Sequence, residues 1–528
     1  MLIPQFITAN EAVRLIKNGD TIANVSMTML GVAESIYREI ERSFLEENRP
    51  EGLTLLHPSG FSDREGGIEH LAHYGLINKI IGSHWGLAPK IMDMIFNNKL
   101  EAYCYPLGIL TNIFHSMSGK EAGKISKIGL GTFIDPRFDG GRMNIISKDE
   151  LIELITINGE EYLLYKHIPI DVLIIRGTYA DETGNISAID EGCVLEILPA
   201  ALATKRYGGK VIVQVRQLVR KGSIPPKEVV VPGVFVDAVV ICEHPFEEHR
   251  QTSSWFQDDT CSGQLQSPAI SFSNLEPSER KIIGRRASMQ LHLDSLINIG
   301  TGIPTDTIGS ILSEEGITED NIMITVETGV YGGVPVGGRD FGISRNPVAL
   351  IPENMQFDVY QGRGVDFTFM GSGEIDAKGN INSTKMGRIV PGSGGFIDIT
   401  TMAKNVVFCS TFTGKGLKVT YDEENGLVIL QEGCIKKFVK NVTQISYSSA
   451  RNIPNGQNAW YITERAVFQL TASGPLLIEI AKGIDLQKNI LDQMDFLPLI
   501  ANPLKQIDTL IYRNGSFGLK NILATNQK

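Results

Sequence analysis

Short apolar runs alternate with amphipathic stretches along the whole chain. The runs are rich in β-branched residues and bounded by Gly or Asp, a pattern that predicts buried parallel strands. They cover residues 171–177, 210–219, 236–242, 321–327 and 405–412. Residues 279–293 carry a helical pattern instead, and Asn425-Gly426 predicts a hairpin turn within 417–431. The pattern therefore predicts an α/β fold with mixed, largely parallel sheets.

The chain also repeats itself. The segment GNISAIDEG (184–192) matches GNINSTKMG (379–387) at a spacing of 195, and the same spacing carries the apolar pair Val211-Ile212 onto Val406-Val407. This repeat predicts two similar open α/β domains. The polar segment 243–280 has little periodicity and marks the boundary. We therefore expect one domain over residues 1–275 and a second over residues 276–528.

Composition excludes several classes of function. The net charge of −11 and a pI near 5.5 provide no basic surface for nucleic acid. No run of about 18 apolar residues predicts a membrane span. The six cysteines are scattered without CxxC pairs, which predicts reduced thiols in the cytoplasm and no metal site.

The candidate chemistry centres on one acid, Glu327, in the stretch ITVETGVYGGVPVGGRDFG (324–342). Glycine clusters near predicted strand ends can turn main-chain N–H groups toward a phosphate or an oxyanion. No complete dinucleotide fingerprint, phosphate-binding P-loop, serine elbow or HExxH pair is present. A carboxylate acting as nucleophile on an activated acyl group, such as a thioester, remains.

Five separated motifs then resemble the family I CoA-transferases of the single-chain acetate or propionate type. They are NIGTGIP (298–304), TVETGVYGGVPVGGRDFG (325–342), GLGTFIDPRFDGGRMN (129–144), GSGGFID (392–398) and YITERAVFQL (461–470). The resemblance covers nearly the whole chain and implies tandem α-like and β-like halves. It also implies that Glu327 is the nucleophile, which forms a glutamyl-CoA thioester by ping-pong exchange.

The resemblance further implies which groups line the site. Gly394 and Gly395 match a loop whose amides stabilise the oxyanion and lie along CoA. Gly300 and Gly302 match a second turn of the same cleft, with Asn298 as a polar contact. No metal or organic cofactor is implied, since CoA is itself the substrate.

Two positions depart from the family pattern. Where relatives usually read Pro-Gln-Gly, this chain reads Pro106, Leu107 and Gly108. A turn that is usually Gly-rich contains Ser26, Met27 and Thr28 instead. We interpret these residues as the substrate pocket, altered toward a bulkier or more apolar acyl group.

Two alternatives stay open at the level of sequence. The same Glu could serve an acyl-CoA hydrolase with water as acceptor, or the altered pocket could belong to a degenerate CoA-binding protein. For the transferase, the expected partners are an acyl-CoA, a short- or medium-chain carboxylic acid and further copies of the chain, as a homodimer or homotetramer.

Overall fold

Two ten-stranded sheets organise the chain in a computed structural model, which describes residues 3–268, 270–272 and 275–526. The strands of the first half are β1 Gln5–Ile7, β2 Thr21–Asn24, β3 Leu53–His57, β4 Ile77–Gly82, β5 Glu101–Cys104, β6 Lys124–Ser126, β7 Ile152–Ile157, β8 Glu160–Tyr165, β9 Val172–Asp181, β10 Ile186–Ser187, β11 Lys210–Val219, β12 Val229–Val231 and β13 Ala238–Ile241. Its helices are α1 Ala9–Val13, α2 Glu34–Glu47, α3 Pro89–Phe96, α4 Leu107–Ser118, α5 Ile197–Arg206 and α6 Pro245–Glu248.

The second half continues the same numbering. Its strands are β14 Ser295–Ile299, β15 Ile322–Val326, β16 Val330–Tyr331, β17 Val334–Pro335, β18 Ser344–Arg345, β19 Ala349–Leu350, β20 Phe367–Gly371, β21 Glu374–Asp376, β22 Ile381–Asn382, β23 Asn405–Cys409, β24 Thr413–Gly414, β25 Lys418–Asp422, β26 Gly426–Gln431, β27 Ile435–Lys436, β28 Phe438–Val439, β29 Asn458–Ile462, β30 Ala466–Thr471, β31 Gly474–Ile480 and β32 Leu499–Gln506. Its helices are α7 Glu279–Ser288, α8 Ile303–Glu314, α9 Glu353–Gly362, α10 Phe396–Met402, α11 Ser449–Asn452 and α12 Leu519–Asn526.

The strand order explains where a ligand can bind. The first sheet runs β1-β13-β11-β9-β2-β3-β4-β5, with every neighbouring pair parallel. The second has a parallel centre, β15-β14-β20-β23-β29, flanked by antiparallel pairs. The predicted α/β class is thus confirmed, as are the predicted strands and the hairpin of β25 and β26. In such sheets, ligands bind beyond the carboxyl ends of the strands, where the strand order reverses.

The internal repeat is visible as a duplicated turn. In the first half, Asp181 accepts hydrogen bonds from the main chain and the side-chain amide of Asn185, both at 3.1 Å. In the second, Asp376 accepts the same pair from Asn380 at 2.9 and 3.0 Å. Each turn joins a parallel strand to a short antiparallel one, β9 to β10 and β21 to β22. The two halves therefore share a local architecture as well as a sequence spacing.

The segment between the halves packs onto the second one. The hydroxyl of Ser253 donates to Asp340 at 2.8 Å, and Arg345 forms an ion pair with Asp258 at 3.0 Å. Residues 269, 273 and 274 of the predicted boundary segment lie outside the described residues. The division into 1–275 and 276–528 stays a prediction. In the part of the chain that the structure describes, no helix is long and apolar enough to cross a membrane.

Candidate active site

Glu327 occupies the loop that follows a buried central strand. β15 ends at Val326, and β15 pairs with β16 through Val326 and Val330, so residues 327–329 form the connection. Gly329 has a φ of +92°, a conformation that suits glycine, and its carbonyl accepts from the amide of Ile351 at 2.9 Å. The predicted location of Glu327 at a strand end is therefore confirmed.

The carboxylate of Glu327 lies against the main chain of Gly395, the residue directly before α10. A β-carbon on Gly395 would lie 2.6 Å from Oε2 of Glu327, so only glycine leaves room for the acid. Burial raises the pKa of Glu327 to about 7, and the amide of Gly395 partly offsets that rise. The side chain is 8% exposed. An acid of this kind is a candidate reactive group, because burial leaves its charge poorly solvated.

The first half of the chain reaches the same loop. The amide of Leu107 donates to the carbonyl of Gly394 at 3.1 Å, and the amide of Gly394 donates to the carbonyl of Ser83 at 2.9 Å. Leu107 begins α4 directly after Pro106 and is buried. The structure thus brings the predicted residues Leu107 and Gly394 together, next to Gly395, which contacts Glu327.

A second buried acid supports this contact. Asp398 on α10 accepts a hydrogen bond from the amide of Gly108 at 3.1 Å and another from the side chain of Gln361 at 2.9 Å. A β-carbon on Gly108 would lie 2.7 Å from Oδ1 of Asp398. Burial raises the pKa of Asp398 to about 7, and the charge of Glu327 adds to the rise. Gly108 therefore allows α4 to approach α10 closely.

A third and a fourth acid form a pair across the two halves. Glu353, at the start of α9, accepts from the hydroxyl of Ser59 at 3.1 Å. Burial raises the pKa of Glu353 well above its usual range, and the neighbouring Glu196 raises it further. Burial also raises the pKa of Glu196 to about 7. Two carboxyls this close share a proton more readily than both ionise.

The turn predicted to fill the substrate pocket contacts the segment after Glu327. A β-carbon on Gly342 would lie 2.9 Å from the sulfur of Met27, and the hydroxyl of Thr28 donates to the carbonyl of Phe341 at 3.1 Å. The hydroxyl of Ser26 donates within its own turn, to the carbonyl of Gly31 at 3.2 Å. Ser26, Met27 and Thr28 are all buried, and with both hydroxyls bonded to main-chain carbonyls the thioether of Met27 is the apolar group of this turn.

The NIGTGIP turn has two distinct parts. Asn298 is fully buried, where its amide donates to Tyr360 and its carbonyl oxygen accepts from Thr368, both at 3.1 Å. Gly300 packs against Met370, whereas Gly302, with a φ of +88°, precedes α8 and faces open space. Asn298 therefore holds neighbouring strand ends together. The contacts of Asn298, Gly300 and Gly302 with CoA stay predictions.

Sequence reasoning missed three of the four clustered acids. Asp398 lies inside the recognised GSGGFID motif, three residues after Gly395, and that spacing was its available signal. Glu196 and Glu353 belong to no motif, because tertiary contact between the halves creates the pair. Within the described ranges, no group of three or more His, Cys, Asp or Glu side chains is arranged to hold a metal. All six cysteines are free.

Comparison with known proteins decides the family. A family model described as Coenzyme A transferase matches residues 6–241. The caffeate CoA-transferase of Acetobacterium woodii is 40% identical over 525 residues, which cover 98% of this chain and 99% of that protein. The chain belongs to the coenzyme A transferase family. The sequence-based resemblance is confirmed, and so is the assignment to enzymes that transfer CoA.

A second relative is similar to this CoA-transferase in both sequence and three-dimensional structure. The acetate CoA-transferase YdiF of Escherichia coli O157:H7 is 37% identical over 519 residues, 97% of this chain and 96% of that one. The crystal structure of the YdiF apoenzyme superposes with a TM-score of 0.91 at 35% identity and covers 98% of both chains. A thioester complex of YdiF with CoA superposes with a TM-score of 0.90. The tandem arrangement of the CoA-transferase fold is therefore shared over nearly the full length.

Proposed function

We propose that Glu327 is the nucleophile with which this CoA-transferase exchanges CoA between a short- or medium-chain acyl-CoA and a free carboxylic acid. The observation that supports this role is the contact between Glu327 and Gly395. A poorly solvated carboxylate meets a glycine loop whose amide is available to developing negative charge. The thioester complex of the YdiF relative supports the same type of intermediate.

The exchange balances without any external proton or oxidant. The Glu327 carboxylate attacks the acyl-CoA carbonyl, which expels CoA thiolate and leaves a mixed anhydride. The thiolate attacks the glutamyl carbonyl of the anhydride and releases the first acid, so that Glu327 carries CoA as a thioester. The second acid attacks this thioester, and the displaced thiolate then takes up the new acyl group and frees Glu327.

Each step passes through a tetrahedral oxyanion. Loss of one preorganised donor to such a charge costs on the order of 10²- to 10³-fold in rate. The amide of Gly395, which contacts the Glu327 carboxylate, is the donor that we assign to this role, since the amide of Gly394 is bonded to the carbonyl of Ser83. Binding of the long CoA chain away from the carbonyl can drive the unfavourable anhydride steps.

Leu107 and Met27 are buried apolar side chains, and we propose that they border the acid site and favour acids with an apolar body. The two relatives named for caffeate and acetate differ widely in the size of that acid. An acceptor screen over acetate, propionate, butyrate, hydroxy acids, 3-keto acids and hydroxycinnamates defines the range. We expect the enzyme to work in the cytoplasm as a homodimer or homotetramer.

The decisive experiment is mass spectrometry after incubation with an acyl-CoA and no acceptor acid. We expect a CoA adduct on the peptide that contains Glu327, and none in Glu327→Ala. The exposed Glu319 offers a matched control, and Glu319→Ala should keep both adduct and activity. Full activity in Glu327→Ala would refute the role. Thiol release that does not depend on added acid would identify a hydrolase, and CoA binding without exchange would identify a binding protein.

A further inference from the structure

His84 lies where the first half of the chain contacts the glycine loop at Glu327. Residues 83–85 follow the carboxyl end of β4 and run beside residues 391–394. The amide of Trp85 donates to the carbonyl of Pro391 at 2.6 Å, and His84 and Gly392 form an antiparallel bridge. The imidazole is therefore held two residues from Gly394 on a connection between the halves.

Three glycines surround the ring of His84. A β-carbon on Gly60 would lie 2.9 Å from Nδ1, and one on Gly86 would lie 2.8 Å from Nε2. One on Gly394 would lie 3.9 Å from Cδ2. The chain thus presents bare main chain on three sides of the imidazole, and a side chain at position 60 or 86 would collide with the ring.

The ring nitrogens of His84 have no hydrogen-bond partner among the described residues, although the side chain is only half-buried. The neighbouring His57 provides a contrast. Its Nδ1 lies 2.8 Å from the carbonyl of Ser59, and its Nε2 accepts from the indole of Trp85 at 3.0 Å. His57 is a structural residue with both nitrogens satisfied, whereas His84 keeps its hydrogen-bonding capacity free for a ligand.

The other donors beside Glu327 are already engaged. The amide of Leu107 donates to Gly394, the amide of Gly108 to Asp398, and the amide of Gly394 to Ser83. Burial lowers the pKa of His84 to about 4, so the imidazole is neutral near pH 7 and carries one N–H. A neutral donor can hold an anionic acid without bringing a positive charge to the site.

We infer that His84 binds the acid substrate and donates a hydrogen bond from its imidazole to the carboxylate that approaches Glu327. This inference rests on the proposed function. It assigns the polar contact of the acid site to the end of β4, whereas Leu107 and Met27, which we propose border the same site, are apolar.

The test compares His84→Phe, which keeps a ring but removes both nitrogens, with His84→Asn, which keeps an N–H donor in a smaller side chain. The exposed His115 on α4 supplies the matched control, His115→Asn. Two quantities are measured for each protein: kcat/KM for the acceptor acid, and the Kd for CoA by calorimetry.

We expect His84→Phe to lose about 10- to 100-fold in kcat/KM for the acid, the usual effect of removing a hydrogen bond to a charged group. Its Kd for CoA should stay within about twofold of the wild-type value, and His84→Asn should recover part of the loss. An unchanged kcat/KM in His84→Phe would overturn the inference. So would an equal loss of CoA affinity in both variants, which would mark a structural role. CoA exchange by the wild-type enzyme tests the proposed function separately. Failure of the proposed function is therefore distinguishable from failure of the inference about His84.

Discussion

A β-carbon on Gly395 would lie 2.6 Å from Oε2 of Glu327, so this carboxylate and the glycine loop fit together only because residue 395 has no side chain. Gly395→Ala should therefore displace the carboxylate or the loop amide. We expect kcat to fall about 10²-fold or more, because oxyanion donors must be placed accurately.

The control for this variant is Gly362→Ala. Gly362 ends α9, and no atom lies within 4 Å of a β-carbon built there. Both variants are compared by exchange assay and thermal melting. Equal activities in the two variants would contradict the proposed contact.

The raised pKa of Glu327 predicts the pH dependence of the reaction. The nucleophile must be ionised, and burial raises its pKa to about 7. We expect kcat/KM for the acyl-CoA to rise tenfold per pH unit below about pH 7 and to level off above it. A profile that is flat between pH 5 and 8 would show that the free enzyme holds Glu327 as an ordinary exposed acid.

The raised pKa of Glu327 also predicts that its ionisation lowers the free energy of unfolding. Between the usual value of 4.5 and about 7, the folded protein binds a proton that the unfolded chain has lost, so the free energy of unfolding falls as pH rises. At pH 8 Glu327→Gln should be more stable than the wild type by on the order of 2 to 3 kcal/mol. The difference should vanish below about pH 4.5. Denaturant titrations at pH 4.5 and 8 measure it, with Glu319→Gln as control.

The pair of Glu196 and Glu353 predicts a second pH effect with the same sign. Burial raises both pKa values, and the neighbouring Glu196 raises the pKa of Glu353 further, whereas the hydrogen bond with Glu353 lowers the pKa of Glu196. Glu353→Gln keeps a hydrogen-bonding group but removes the repulsion. We expect this variant to lose less stability than the wild type between pH 7 and 9.

The same denaturant titrations, repeated at pH 7 and 9, check this expectation for the pair. Glu196→Gln should behave like Glu353→Gln, because either substitution leaves a single acid. Unchanged pH dependence in both variants would mean that the two carboxyls do not interact.

The proposed position of Leu107 at the acid site predicts how the enzyme distinguishes short from longer acids. The side chain is buried beside Gly394, so Leu107→Gln places an amide in an apolar wall. We expect the ratio of kcat/KM for acetate over butyrate to rise about tenfold, since one methylene in an apolar pocket is worth roughly 1 to 3 kcal/mol. Leu107→Met conserves volume and polarity and should leave the ratio unchanged. A ratio unaffected by Leu107→Gln would remove Leu107 from the pocket.

Sequence patterns predicted the sheets because buried strands must be apolar throughout, as in the runs that became β9, β11, β15 and β23. The residues of the repeated turn also allowed a correct prediction. The glycine and asparagine of the repeat predicted related halves, and Asp181 and Asp376 complete the same turn in both.

The rest of the site depends on contact between segments that are distant in sequence. Glu196 and Glu353 are acids in unremarkable local contexts, and only their approach across the two halves makes them a pair. From sequence alone, a lone histidine such as His84 is interpreted as a surface or core residue. Its significance depends on Gly60, Gly86 and Gly394, which come from three different loops.

The hydrogen bond from the amide of Leu107 to the carbonyl of Gly394 joins α4 in the first half to the glycine loop beside Glu327 in the second half. On the proposed assignment, the residues that select the acid lie in the first copy of the repeat and the residue that performs the exchange lies in the second. Substitutions in the first copy can change which acids are accepted while the acid that performs the exchange is preserved, so new specificities can evolve without reinventing the chemistry.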